Sequence, residues 1–255
     1  MKKLLIAFLA LSLLLCACAS EETANPEEIS ELSSAIEKTN SENRFSGQYL
    51  IEIGFGAGVT LYYAMGDIAC DRSEKQASLS FSQTYLGVSA KVENYIKNGV
   101  AVTVEDGDAE KTELDTDVLL SKFPYSRIFG YDDTCKSLKS AQSSLGKTFT
   151  AVRSNTKQIC DSVIGDDIYS LAEVIKQPQR DKTEYSETTC IYTVKDGRVV
   201  GCRYEFTVKL YDTPAYVPGY SVPESEYTLE LKVSAKISYD SFGADAEIAE
   251  YSEIE

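Results

Sequence analysis

YTLELKVSAKISY, residues 227–239, alternates without a break. Leu229, Leu231, Val233, Ala235, Ile237 and Tyr239 fall on one side, and Glu230, Lys232, Ser234, Lys236 and Ser238 on the other. A period of two over this length predicts a long strand with one buried and one wet face, which antiparallel sheets allow. Upstream, Thr188 to Val194 and Val199 to Leu210 have the same character. Between the last two strands lies Tyr211-Asp-Thr-Pro-Ala-Tyr216-Val-Pro-Gly-Tyr220-Ser-Val-Pro223, which holds three of the six prolines. Tyrosines offer rigid amphipathic area and prolines pre-order the backbone. Tyr211, Tyr216 and Tyr220 are therefore candidate contact residues of that loop; the alternative is a long hairpin whose aromatics pack back on the sheet.

Strand signals also fill the first half. From Ser46, Tyr49, Ile51, Ile53 and Phe55 alternate with Leu50, Glu52 and Gly54. A glycine-rich turn at 54–58 follows, then strands over Val59–Cys70, Lys75–Thr84, Tyr85–Ile96 and Val100–Glu105, with Lys97-Asn98-Gly99 and Asp106-Gly107 as turn signals. Helices are fewer. Pro26 opens one after the cap residue Asn25, with Glu27 and Glu28 in its first turn and Ile29, Leu32, Ala35 and Ile36 as its apolar stripe. Short helices are expected over Asp115–Lys122 and Asp133–Leu145, in a segment capped by Ser154 with Ile159, Cys160 and Val163, and after Asp166 or Asp167 with Ile168, Leu171, Ala172 and Ile175. Lys147–Val152 reads as a brief strand and Ala246–Tyr251 as a short terminal one.

The extreme N-terminus is of another kind. Lys2 and Lys3 precede an apolar run from Leu4 to Leu15, interrupted by Ser12. A spanning helix needs roughly 20 apolar residues, so this shorter run reads as a secretory signal peptide, residues 1–17. Leu15-Cys16-Ala17-Cys18 resembles the lipobox of bacterial lipoproteins. That resemblance implies cleavage before Cys18, lipidation of Cys18 and loss of Cys16 with the leader. Residues 18–26 then form a lipidated cysteine and tether, and 27–255 a single domain. The expected location is the outer face of a bacterial cell membrane.

The whole chain has 25 Lys+Arg against 40 Asp+Glu, a formal charge of −15. This argues against nucleic-acid partners and against adsorption to anionic surfaces. There is no histidine, so Ser-His-Asp, Cys-His and histidine-based zinc chemistry are excluded. No P-loop, dinucleotide fingerprint, G-x-S-x-G or C-x-x-C occurs. No enzyme activity, cofactor or metal is expected; a histidine-free hydrolase is the remote alternative. The acidic stretch Glu105–Glu110 fails the EF-hand spacing and reads as a solvated hairpin tip, with a calcium site as the alternative.

An exported chain can form disulfides. If Lys195-Asp196-Gly197 makes a three-residue loop, Val194 faces Arg198 and Cys190 faces Cys202, and the apolar residues share one side. Two free buried thiols are the alternative, because a direct cross-strand disulfide demands strained geometry. Cys135 and Cys160 are a weaker candidate pair, leaving Cys70 unpaired.

The fold class is thus α+β: a large antiparallel sheet with an N-terminal helix and a few central helices. This element order resembles the lipoprotein-carrier superfamily of LolA/LolB-type and LppX-type proteins, which implies that the sheet is curved into a half-open barrel covered by those helices. The resemblance implies binding of a lipid or lipopeptide on the curved sheet, with Tyr49, Ile51, Ile53, Phe55, Leu229, Leu231, Val233 and Ile237 as ligand-facing candidates. The expected partners are the membrane, through the anchor, and a lipid or an envelope protein. The alternative is a structural or interaction module of the cell envelope that uses loop 211–223. Replacing Cys18 by serine is expected to release the chain from membranes or block its maturation, while Cys16→Ser does neither; membrane fractionation with an intact-mass measurement checks both.

Overall fold

The computed structural model describes residues 25–55, 59–105, 107–113, 128–144, 146–164, 168, 182–211 and 228–251. The leader, Cys16, Cys18, Tyr216, Tyr220, the expected helix over 115–122 and all but Ile168 of the one after Asp166 lie outside these residues. Twelve antiparallel strands make one sheet: β1 (Arg44–Phe55), β2 (Thr60–Asp71), β3 (Gln76–Tyr85), β4 (Val88–Lys97), β5 (Val100–Glu105), β6 (Asp108–Glu113), β7 (Cys135–Ser143), β8 (Gly146–Arg153), β9 (Glu184–Tyr185), β10 (Thr188–Lys195), β11 (Arg198–Tyr211) and β12 (Thr228–Phe242). Their order is β6-β5-β4-β3-β2-β1-β12-β11-β10-β8-β7, with β9 beside β11. Two meanders are joined where β1 pairs with β12, from Phe45 opposite Phe242 to Phe55 opposite Leu231. Among the described residues, β6 and β7 are each paired on one side, so the sheet is open.

Local chemistry explains the hairpins. Asn98 and Gly99 have φ of 52° and 79°, and Asp196 and Gly197 have 53° and 71°. Two positive φ values in succession are what a tight two-residue turn between right-twisted strands requires. Leu86-Gly87 turns the same way, at 48° and 83°, although leucine gives little sign of it. Register breaks at Ser46/Gly47 and Ile53/Gly54 bend β1. A Cβ on Gly47 would lie 2.3 Å from the Ser238 carbonyl oxygen, so only glycine lets β12 approach there. Gly66 stands between Tyr49 and Phe81 on adjacent strands. Its missing side chain lets their rings meet edge-on, 5.9 Å apart.

Two helices are described: α1 (Pro26–Asn40) and α2 (Thr156–Val163). Asn25 caps α1 by accepting the Glu27 N–H at 3.0 Å. Leu32, Ala35 and Ile36 are buried, each large one worth roughly 1.5–3 kcal/mol. The helix lies across one end of the sheet. Lys147 of β8 reaches Glu31 at 2.7 Å, and Arg198 of β11 donates to Glu42 at 2.9 Å. Arg72, beyond β2, donates to the Asn40 and Glu42 carbonyls. The turns after β2, β7 and β10 sit at this closed end. Those after β1, β3 and β5 sit at the other, which we term the open end. No described helix is long and apolar enough to cross a membrane.

Three expectations are corrected. Residues 135–143 form strand β7, not a helix. Only Leu138 of that strand is buried, so as an edge strand it carries almost no alternation to read. The expected terminal strand at 246–251 is absent. That segment instead crosses β3 and β4: Ala249 N–H donates to Ser78 at 3.2 Å, Glu250 meets Lys97 at 3.2 Å, and Tyr251 packs against Tyr95. The residue preceding α2 is Asn155 rather than Ser154, and its side chain makes no cap bond.

Thr39 fastens α1 to the sheet. Its hydroxyl donates to Ala35 C=O at 2.9 Å and accepts the Val199 N–H at 2.9 Å, both buried. Thr39→Val keeps the shape but strands the Val199 donor. A loss of about 1–3 kcal/mol is expected, read as a lower urea midpoint at unchanged slope.

Candidate functional site

The apolar face of β1, β12, β11 and β10 is the candidate site. Tyr49 faces Ile237, Ile51 faces Ala235, Ile53 faces Val233 and Phe55 faces Leu231. Leu229, one row further toward the open end, faces Leu210. Seven of the eight candidate residues are buried, and Phe55 is partly so. β11 extends the face with Cys202, Tyr204, Phe206, Val208 and Leu210, and β10 adds Cys190, Tyr192 and Val194, all buried. These side chains form one continuous apolar cluster. A groove of about 530 Å³ near the open end belongs to the other, polar face of the sheet, with Glu52, Glu205, Thr207, Lys232 and Ser234 among its walls.

A strap of backbone is held over the face by side chains from four elements. Asn40 at the end of α1 donates to the Ile128 carbonyl at 2.9 Å and accepts the Ile128 N–H at 2.8 Å. Tyr192 donates to the Phe129 carbonyl at 3.1 Å, and the Tyr204 hydroxyl accepts the Phe129 N–H at 3.3 Å. The Phe129 ring meets Tyr204 edge-on at 5.9 Å. Arg153, at the end of β8, is fully buried and donates to the Gly130 carbonyl. Its other donors reach both Asp132 oxygens at 2.8 and 2.9 Å, Thr134 at 2.8 Å and Asn155 at 3.0 Å. Burial pushes the Asp132 carboxyl up, but the bonds from Thr134 and Arg153 outweigh it and hold its pKa below the ordinary value. Every buried side-chain polar atom described is satisfied, so this polar cluster is built for rigidity.

Cys190 does not face Cys202. The turn is the two-residue Asp196-Gly197, with Lys195 opposite Arg198. A break between Thr193 and Val194 then shifts the register, so Tyr192 faces Cys202 and Cys190 faces Tyr204. The extra residue, Val200, restores the buried face that a two-residue turn alone would scramble. Cys70, Cys135, Cys160, Cys190 and Cys202 are all free thiols; Cys135 accepts from Arg153 at 3.1 Å rather than meeting Cys160. Burial pushes the Cys160 and Cys190 thiols up to about 12 and Cys70 to about 11. Such thiols are neutral and inert at physiological pH.

Tyr211, the described member of the candidate contact loop, donates to Glu184 at 2.8 Å, with Lys209 4.9 Å over its ring. Asn40, Arg153, Tyr192 and Tyr204 were not singled out by sequence. Arg153 did carry a signal, since it follows Phe149 and Ala151 at an inward position where a charge must find partners.

No family model matches the chain, and no curated protein matches it. Among solved structures, LprF from Mycobacterium bovis is 9% identical, with 89% of this chain and 98% of that chain covered at a TM-score of 0.48. Lipoprotein LppX from Mycobacterium tuberculosis is 9% identical, with 89% and 100% covered at 0.40. A LolA superfamily protein from Nitrosomonas europaea is 8% identical, with 87% and 93% covered at 0.29.

The thiol arrangement predicts no mass difference between reduced and non-reduced protein. A water-soluble thiol reagent at neutral pH is expected to modify Cys160, Cys190 and Cys202 only on unfolding.

Proposed function

We propose that this chain is a membrane-anchored, extracytoplasmic lipoprotein, lipidated on Cys18, that binds a hydrophobic ligand without chemical turnover. The observation that carries the reading is the apolar face itself: side chains of β1, β12, β11 and β10 follow one another in one continuous apolar cluster on a single face of the sheet. A ligand of lipid or lipopeptide type would lie along Tyr49, Ile51, Ile53 and Phe55 on one side and Leu229, Leu231, Val233 and Ile237 on the other. An acyl chain needs no hydrogen bonds, and this face supplies apolar side chains row after row. The strap at 128–130 would keep such a ligand from water on the β10–β11 side, where Tyr192 and Tyr204 hold Phe129.

The chain has no histidine, the described thiols with shifted pKa are pushed upward, and no group of metal-ligating side chains occurs among the described residues. A binding role asks for none of these. The alternative function is an interaction module of the cell envelope that uses loop 211–223 as its contact surface.

Titration of the protein with a fluorescent fatty acid tests the reading. Saturable enhancement at a stoichiometry near one, displaced by unlabelled fatty acid, is expected. A linear, unsaturable response would exclude a ligand on this face.

A further inference from the structure

The open end of the sheet carries an exposed apolar rim of unusual composition. Val59, beside β2, is 57% exposed; Leu86 and Val88, around the β3–β4 turn, are 51% and 74% exposed. The two tips are adjacent, since the Leu86 N–H donates to the Leu61 carbonyl at 3.1 Å. Behind the aliphatic tips stand Tyr62, Tyr63 and Tyr85, each partly buried, with Tyr62 opposite Tyr85. Residues 53–66 and 76–90 contain no charged side chain, in a chain whose charged content is 25%. The rim continues inward, because Phe55, Tyr62 and Tyr85 pack against the core cluster that includes Ile53.

We propose that this rim docks on a lipid surface, with Val59, Leu86 and Val88 entering the bilayer interface. Three features select lipid over a protein surface. The outermost side chains are aliphatic and the next layer is tyrosine, which matches hydrocarbon followed by headgroup level at a membrane boundary. A net charge of −15 repels anionic membranes, and the charge-free tips are a part of the molecule that approaches a lipid surface without that penalty. The rim also leads straight onto the apolar face, so a chain leaving the bilayer need not cross polar surface. The inference rests on the ligand-binding reading and adds the surface from which the ligand enters.

The chain has no tryptophan, so one introduced residue reports cleanly. Val88→Trp is placed in the full chain carrying Cys18→Ser and mixed with phosphatidylcholine vesicles whose acyl chains are brominated. Lys236→Trp, on the polar face, is the control and shares the same leader. The expected result is a blue shift and quenching on the order of threefold greater at position 88, abolished by adding Leu86→Asp. Equal quenching at the two positions would overturn the proposal. So would a blue shift that grows with protein concentration before vesicles are added, since the tips would then pair with a second copy. The fluorescent fatty acid, presented without vesicles, is measured on the same proteins. Failure of that binding removes the ligand reading, whereas binding with an unquenched Trp at 88 removes the docking surface alone.

Discussion

The pairing of β1 with β12 holds the molecule together. Eleven residue pairs, from Phe45–Phe242 to Phe55–Leu231, join strands nearly 190 positions apart in sequence. Each half of the chain is a local meander that could form from its own turns. Neither has a covered apolar face until the two are sewn along this seam. The seam also brings the candidate ligand-facing residues of both halves into one field, with Tyr49 opposite Ile237 and Ile53 opposite Val233. Contacts of such sequence separation are slow to form and are the ones a folding chain must wait for.

The asymmetry of the two ends follows from where α1 lies. It spans the closed end from Glu31, bonded to Lys147 of β8, to Lys38 and Thr39, bonded to Asp196 and Val199 at the β10–β11 turn, where Glu42 just past the helix also meets Arg198. Its N-terminal half stands beside β7 and β8, where Ser140 donates to Glu28 and Lys147 to Glu31. Eight tether residues reach at most roughly 28 Å. The open end lies a full strand away, about 36–40 Å for twelve residues. If Cys18 is the anchor, the open rim meets a bilayer only when the domain lies over, or when the bilayer is another one. With Cys18 as the proposed anchor, the proposed ligand entry would lie at the end of the sheet away from α1.

Much of the fold was legible where local rules act alone. The alternation at 228–242, the Asn25-Pro26 start of α1 and the Asn98-Gly99 turn are all decided by neighbours in sequence. What failed depended on tertiary context. The edge strand β7 has one buried side chain, so its pattern offers no period. The expected Cys190–Cys202 pairing fails on two counts: Asp196-Gly197 turns in two residues where that pairing needs three, and Val200 bulges a little further along β11. The β1–β12 seam is visible only as two compatible alternations. For the candidate site, the apolar rows could be named in advance. The polar cluster of Asn40, Arg153, Tyr192 and Tyr204 could not, because its partner is the backbone of a distant segment, 128–130. The rim at 59 and 86–88 went unread for a similar reason: leucine is an improbable turn residue, and apolar strand ends look like core.

The central claim is that the apolar face holds a ligand in the cell. Organic extraction of protein purified from its native membrane, followed by mass spectrometry of the extract, tests it most directly. The account predicts a non-covalent acyl-chain compound in near-stoichiometric amount, distinct from the thioether-linked anchor and retained when Cys18→Ser protein is purified instead. An extract without such a compound, from protein shown to be folded, would contradict it.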